Sequence, residues 1–212
     1  MELNGKKINF LGDSITEGCC ATRPEWGFVD VMKAKYALAA ARNYGIGGSR
    51  IARQRIPSEV PKFDLYFASR VEEMDADADI VVIFGGTNDH GHGDAPMGTD
   101  DDRTVDTFFG AYHVLLEETV KKYPRAEIVV VTPLHRAEET REKDDLTLQD
   151  YVNSIRQVAA QYPVKVLDLY ERSVIRGDIP EIAEKLTTDG LHPNDEGHAI
   201  LAEEIGEFLK TL

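Results

Sequence analysis

The chain has 212 residues, of which 42% are hydrophobic, and a formal net charge of −14 at pH 7. This length and apolar content are enough for one sizeable core, and we expect a single domain over residues 1–212. An acidic surface repels the phosphates of nucleic acids and of anionic membranes, so neither is an expected partner. The same charge is typical of a protein that electrostatic repulsion keeps in solution.

No targeting segment is visible in the sequence. The first apolar run covers only residues 8–11, which is too short for a signal peptide or a membrane span. Adjacent cysteines form a disulfide only with strain, so we interpret Cys19 and Cys20 as free thiols in a reducing compartment. These features predict a cytoplasmic protein.

Five short apolar runs recur along the chain at similar spacing. Continuous β-branched runs without alternation are typical of strands that are buried on both faces of a parallel sheet. The run at residues 41–44 is the weakest of the five. The predicted strands cover residues 8–11, 41–44, 80–84, 128–131 and 164–169.

Helical periodicity lies between these strands. We predict helices from Phe28 to Tyr36, from Thr104 to Lys122 and from Leu148 to Ala159, and a last helix for which Asn194 is the N-cap. Alternating strands and helices indicate right-handed βαβ units in one doubly wound α/β domain. In such sheets ligands bind beyond the carboxyl ends of the strands, so the following loops are the places to search for chemistry.

The loops after the first two strands hold a serine and a glycine-rich turn. Ser14 follows directly on the first strand, in Gly12-Asp13-Ser14, where its hydroxyl is either a nucleophile or a helix cap. The second loop contains Gly45, Gly47 and Gly48, whose backbone N–H groups are candidate donors to an oxyanion. Its spacing does not correspond to a nucleotide-binding loop.

Two further loops hold an amide and a histidine with a carboxylate. Asn88, in Gly85-Gly86-Thr87-Asn88-Asp89, is able to donate a hydrogen bond to developing negative charge. Asp189 and His192 stand three residues apart, a spacing that allows the carboxylate to orient the imidazole. Each motif by itself is weak, because serines, asparagines and histidines are common at such positions.

The four motifs together resemble the SGNH hydrolases, also called the GDSL-type esterase and lipase family, over residues 8 to about 198. Gly12-Asp13-Ser14 corresponds to the first block of the family, Gly48 best to the glycine of the second, Asn88 to the third, and Asp189-Gly190-Leu191-His192-Pro193 to the fifth. The second block is loosely spaced, so Gly45 and Gly47 stay candidates for its glycine. The Gly-x-Ser-x-Gly elbow of α/β-hydrolases is absent from the sequence.

The resemblance implies a fold and roles for these residues. It implies a flavodoxin-like three-layer α/β/α sandwich with five parallel strands, and no cofactor or metal. Ser14 would be the nucleophile, His192 the general base and Asp189 its orienting carboxylate. The oxyanion hole would consist of the N–H groups of Ser14 and Gly48 and the side-chain amide of Asn88.

Several histidines and charged residues stand near these blocks. We predict that Asp13, His90 and His135 line the substrate site, and that His113 and His198 are structural. Arg50, Arg53 and Arg55 form a basic cluster that would pair either with a substrate carboxylate or, as we expect, with the acidic surface. The charged run from Glu138 to Asp145 is predicted to be a solvated loop or a helix start.

The resulting hypothesis is a serine carboxylic ester hydrolase that acts on a small-molecule ester with a short acyl group, such as an acetylated carbohydrate. Thioesterase and lysophospholipase activities occur in the same family and stay alternatives. A non-catalytic binding protein on this fold is a further alternative. A metal-dependent phosphoesterase would use Asp13, Asp89, His90 and His92. The sequence leaves the oligomeric state open.

Overall fold

A computed structural model describes residues 1–141 and 144–212. Its sheet has five parallel strands in the order β2-β1-β3-β4-β5. This order is the flavodoxin-like one, and the strand count and direction agree with the prediction. The strands are β1 (Lys7–Gly12), β2 (Ala40–Gly45), β3 (Ile80–Phe84), β4 (Glu127–Val131) and β5 (Lys165–Leu167).

The position of a strand in the sheet explains how apolar its sequence is, and so how strongly the sequence predicts it. All five residues of β3 are buried, whereas those of β2 are mostly half-buried, because β2 lies at the edge of the sheet. The fifth strand ends at Leu167, two residues earlier than predicted. It ends there because the Asp168 side chain accepts a hydrogen bond from the Glu171 N–H and caps a helix.

The long predicted helices are confirmed. Helix α5 begins at Phe108, four residues later than predicted, because the Thr107 hydroxyl caps it by accepting from the Gly110 N–H at 3.1 Å. The sequence reading missed the short helices α1, α3, α4, α7 and α8, which offer too few residues for a periodic pattern. The helices are α1 (Ser14–Glu17), α2 (Phe28–Lys35), α3 (Phe67–Val71), α4 (Thr87–His92), α5 (Phe108–Lys122), α6 (Leu148–Ala159), α7 (Leu169–Arg172), α8 (Pro180–Leu186) and α9 (Asp195–Lys210).

Helices cover both faces of the sheet and make three layers. Alternate residues of β3 point to opposite sides, so Val82 packs with α2 and α9 while Ile83 packs with α3, α5 and α6. The two cores are therefore separated by the sheet. No helix in the described part of the chain has the length and apolar composition to cross a bilayer.

The described residues of the charged run after β4 lie outside the helices and strands, and their side chains are not all solvated. Arg141 is only 8% exposed, and its guanidinium donates to the backbone oxygens of Asp89 and Gly93. Glu139 is half-buried. Helix α6 starts only at Leu148, and Glu142 and Lys143 of this run lie outside the described residues.

Candidate active site

Ser14 lies at the carboxyl end of β1 as the first residue of helix α1. The Asp13 carboxylate caps this helix by accepting from the Ile15 N–H at 3.0 Å. The helix ends after one turn, because Gly18 adopts a left-handed conformation with φ of +95°. This short turn holds the Ser14 side chain at the edge of the sheet, where it is 8% exposed.

A chain of hydrogen bonds joins Ser14 to the loop before α9. Ser14 Oγ lies 2.9 Å from His192 Nε2, and His192 Nδ1 lies 2.7 Å from Asp189 Oδ2. An ionised carboxylate only accepts, so Nδ1 carries the ring proton and Nε2 is free to accept from the Ser14 hydroxyl. The geometry thus gives the serine an acceptor for its proton.

Asp189 is held in place by its own loop. Its Oδ1 accepts from the N–H groups of Leu191 and His192 at 3.0 and 2.8 Å. Burial opposes ionisation of this carboxyl, but the N–H and imidazole of His192 outweigh it and keep the pKa of Asp189 below the usual value. Asp189 is therefore ionised at neutral pH, where His192 needs a negatively charged partner.

Two residues that line the same cavity as His192 are candidates to donate a backbone N–H to a ligand. The N–H groups of Ser14 and Gly48 have no acceptor within residues 1–141 and 144–212, whereas the Gly47 N–H donates to Glu17 Oε2 at 2.8 Å. Gly48 has a φ of +76°, and a Cβ there would lie 2.9 Å from the Phe63 ring. Glycine is therefore required at position 48 by both conformation and space.

Asn88 lies in the first turn of α4, directly after β3. Its Nδ2 donates to the Ser49 carbonyl at 2.9 Å, and its Oδ1 lies 3.1 Å from His92 Nε2. An amide nitrogen has two hydrogens, so one of them is left for a ligand. Asn88 and Ser14 both line the cavity described below.

Asp89 ties the third block to the second. It is 4% exposed, and its two carboxylate oxygens each accept a backbone N–H, from Ile51 and Ala52, at 2.9 Å. Burial raises the pKa of Asp89 to about 7, although these two hydrogen bonds oppose the shift. The residue next to Asn88 therefore stabilises the loop that contains Gly48.

A cavity of about 410 Å³ opens beside Ser14. A second cavity of about 700 Å³ is lined by polar and charged residues and shares His92 and Arg136 with the first. Cys19, which is a free thiol, also lines the first cavity. The lining residues of the first cavity are Ser14, Glu17, Cys19, Gly47, Gly48, Lys62, Phe63, Asn88, His92, Arg136, Leu191 and His192.

Of the three residues expected to line the substrate site, His90 lines the second cavity, whereas Asp13 and His135 line neither cavity. Asp13 is 2% exposed and caps α1, and burial raises its pKa to about 6. His90 is 2% exposed and lies 3.1 Å from the Glu139 carbonyl. His135 is stacked on Tyr170 and binds the Glu139 carboxylate at 2.6 Å.

The four residues of the phosphoesterase alternative do not converge on a common point among the described side chains. Asp13 and Asp89 accept backbone N–H groups in different loops, His90 turns to the Glu139 carbonyl, and His92 contacts Arg50. His113 and His198 are buried and hydrogen-bonded inside the fold, as expected for structural residues.

Sequence reasoning missed four residues that border Ser14 or its neighbours: His92, Phe63, Arg136 and Arg50. His92 was visible only as one of two histidines in a polar segment, and no local pattern distinguishes it from His90. Arg50 was expected to pair with the acidic surface, but it is 6% exposed and donates to His92. Arg53 does form the expected ion pair, with Asp106.

Comparisons with known proteins identify the family of this chain. The sequence model of the GDSL-like Lipase/Acylhydrolase family matches residues 10–200. An acetylxylan esterase of Xylanibacter ruminicola is 25% identical over 229 aligned residues, which include 96% of this chain. The chain spans only 43% of the length of that relative.

Known structures have the same fold. A Lactobacillus plantarum protein is 30% identical with a TM-score of 0.86, over 98% of both chains. A lipase/acylhydrolase from Enterococcus faecalis superposes with a TM-score of 0.66 at 24% identity, over 97% of this chain and 96% of its own. The second likeness extends to the fold alone.

Proposed function

This chain belongs to the GDSL-like lipase/acylhydrolase family, and from that premise we propose that it is a serine hydrolase of carboxylic esters. The observation that supports the proposal most directly is the hydrogen-bonded chain from Ser14 Oγ through His192 to Asp189. A serine hydroxyl is a weak nucleophile until a base accepts its proton, and in this arrangement His192 is the base.

In the proposed mechanism Ser14 Oγ attacks the acyl carbon while His192 Nε2 takes the hydroxyl proton. Asp189 keeps the proton on Nδ1 and stabilises the imidazolium that forms. His192 then delivers its proton to the leaving alcohol, and an acyl group remains on Ser14. Water, deprotonated by the same imidazole, hydrolyses this acyl-enzyme and restores the free serine.

Three donors are proposed to stabilise the oxyanion of each tetrahedral intermediate. They are the N–H groups of Ser14 and Gly48 and the second hydrogen of Asn88 Nδ2. Support comes from the missing acceptors of the two backbone groups among the described residues, and from the position of all three residues around one cavity. Loss of one such donor typically lowers the rate by about 10²–10³.

A fluorophosphonate probe tests this function directly, because it reacts only with an activated serine. We expect the wild-type protein to be labelled at Ser14 and Ser14→Ala to stay unlabelled. Ser49→Ala is a matched control that retains Ser14, and we expect it to be labelled. An intact wild-type protein that fails to react would support the alternative of a binding protein on the same fold.

For the substrate, we propose a short acyl group, such as acetyl, on a carbohydrate. The cavity beside Ser14 is small, and the larger cavity that adjoins it is lined by polar and charged groups that suit a hydroxyl-rich leaving group. The acetylxylan esterase relative supports the same class. The long acyl chain of a lysophospholipid is less compatible with the polar walls of the larger cavity, because such a chain requires apolar surroundings. A thioesterase stays an alternative.

A series of p-nitrophenyl esters from acetate to palmitate tests the acyl group. We expect kcat/KM to be highest for acetate and to fall with each added pair of methylenes. Release of acetate from acetylated xylo-oligosaccharides then tests the leaving group, with Ser14→Ala as the control. Highest activity on the long chains would contradict the short-acyl assignment but would leave the serine mechanism in place.

A further inference from the structure

The amide oxygen of Asn88 is contacted by a histidine one turn later in the same helix. His92 Nε2 lies 3.1 Å from Asn88 Oδ1, and the Asn88 amide nitrogen donates to the Ser49 carbonyl at 2.9 Å. The other ring nitrogen, Nδ1, lies 2.5 Å from Arg50 Nη2. Residues four apart on a helix are neighbours, so this contact follows from the local fold once α4 forms.

Proton counting leaves one arrangement for these three side chains. A guanidinium only donates, so His92 Nδ1 must accept from Arg50 and the ring proton must be on Nε2. That N–H then points at Asn88 and requires an acceptor, which is Oδ1 and not the amide nitrogen. A rotated amide would place an N–H against the His92 N–H and an oxygen against the Ser49 carbonyl.

The surroundings of Arg50 keep this arrangement in place. Arg50 is 6% exposed, and a second guanidinium nitrogen lies 3.4 Å from the Phe63 carbonyl. Partial desolvation of the His92 ring by its neighbours, together with the charges of Arg50 and Arg136, lowers the pKa of His92 to about 4, although part of the side chain is exposed at the cavity. The imidazole is therefore neutral near pH 7, and its Nδ1 is available to accept from Arg50.

We propose that His92, oriented by Arg50, is a positioning residue that holds the side-chain amide of Asn88 with its nitrogen toward the oxyanion. This inference rests on the oxyanion role proposed for Asn88. It assigns a function to an arginine and a histidine outside the four sequence blocks. Without His92 only the hydrogen bond to the Ser49 carbonyl opposes rotation of the amide, so the donor is directed at the cavity for less of the time.

The inference predicts an effect on kcat and not on KM. A donor that acts on the developing negative charge contributes mainly in the transition state, so its loss leaves ground-state binding nearly unchanged. His92 is exposed and lines the cavity, so a direct contact with substrate would instead appear as a higher KM. The two roles are therefore separable by kinetics.

The experiment compares His92→Phe, which keeps a ring but removes both hydrogen bonds, with His92→Gln, whose amide N–H is able to reach Asn88 Oδ1. We expect His92→Phe to lower kcat for p-nitrophenyl acetate by about 10- to 100-fold. Asn88→Ala, which removes the donor itself, should lower kcat by about 10²–10³. We expect His92→Gln to restore kcat to within about threefold of the wild type.

A double-mutant cycle tests whether His92 acts through Asn88. In the Asn88→Ala background the His92→Phe change should have almost no further effect, because the amide it orients is gone. An equal loss of kcat in both backgrounds, or a raised KM with unchanged kcat, would overturn the proposal. His113→Phe is the control: it removes two hydrogen bonds of a buried histidine in α5 and should leave kcat unchanged.

A measurement without turnover keeps this inference separate from the proposed function. The ¹⁵N chemical shifts of the His92 ring should show the neutral Nε2–H tautomer from pH 6 to 8, and a proton on Nδ1 would overturn the arrangement. Failure of Ser14 to react with a fluorophosphonate would instead contradict the serine mechanism, and the tautomer measurement would still test the arrangement of Arg50, His92 and Asn88.

Discussion

At the scale of single residues, the site depends on which polar groups are used by the fold and which are left for a ligand. Asp13, Asp89 and His90 stand within or beside the blocks, yet each is buried and bound to backbone groups. Ser14 and His192 keep their reactive atoms at the cavity. Adjacent residues thus have different tasks, because neighbouring side chains leave a helix or loop in different directions.

Replacement of Asp189 by asparagine tests the orienting carboxylate. An asparagine amide is able to donate to Nδ1, which moves the ring proton to Nε2 and leaves Ser14 without a base. We expect kcat for p-nitrophenyl acetate to fall by about 10³–10⁴ with little change in KM. Asp195→Asn is the matched control, since Asp195 stands three residues after His192 and binds Thr22, and its kcat should stay near the wild-type value. Equal losses in both variants would contradict the role of Asp189.

At the scale of elements, helix caps determine where the loops of the site begin and end. Asn194 caps α9 by accepting from the Gly197 N–H at 3.0 Å, and its amide donates to the Lys185 carbonyl at 2.7 Å. It stands two residues after His192, so it ties the histidine loop to the end of α8. Thr107 caps α5 on the other side of the sheet, far from the histidine loop in the sequence.

The two caps allow stability and positioning to be separated. We expect Asn194→Ala and Thr107→Ala each to lower the free energy of unfolding by about 1 kcal/mol, measured by urea denaturation. We expect only Asn194→Ala to lower kcat as well, since the loss of its two hydrogen bonds loosens the segment that holds His192. A loss of kcat in Thr107→Ala of the same size would show that activity follows stability alone.

At the scale of the whole molecule, burial of carboxyl groups makes stability depend on pH. Burial raises the pKa of Asp13 to about 6 and that of Asp89 to about 7, above the ordinary value of 3.8 for an aspartate. At a pH between 3.8 and the raised pKa of each residue, the carboxyl keeps its proton in the folded state and loses it in the unfolded state. The stabilisation is complete below pH 3.8 and is lost as the pH rises through the folded pKa values.

The Asp89→Asn variant tests this dependence, because an asparagine does not titrate. We expect the stability of the wild type relative to the variant to decrease from pH 4 to pH 7, at a slope of up to about 1.4 kcal/mol per pH unit. Urea denaturation at half-unit pH steps measures this difference, in which the effects of other carboxylates cancel. A difference that grows as the pH rises would contradict a raised pKa for Asp89.

The sequence by itself determined the sheet, most of its long helices and the positions of the four blocks. Buried runs such as Ile80 to Phe84, and caps such as Asn194, are local signals, because each depends on residues only a few positions apart. The first three blocks follow strands, and in a parallel sheet the loops after the strands meet at one edge. Asp189 and His192 lie between α8 and α9, and the family resemblance implied that His192 meets Ser14, although 178 positions separate them.

Only the tertiary structure decided which side chains face the cavity. His90 and His92 are alike in sequence context, yet His90 turns to the carbonyl of Glu139 and His92 to Arg50 and Asn88. Arg50 and Glu139 belong to segments about 40 to 50 residues away, whereas Asn88 lies one helical turn from His92. Burial and hydrogen bonding depend on such distant neighbours, and no local pattern in the sequence encodes them.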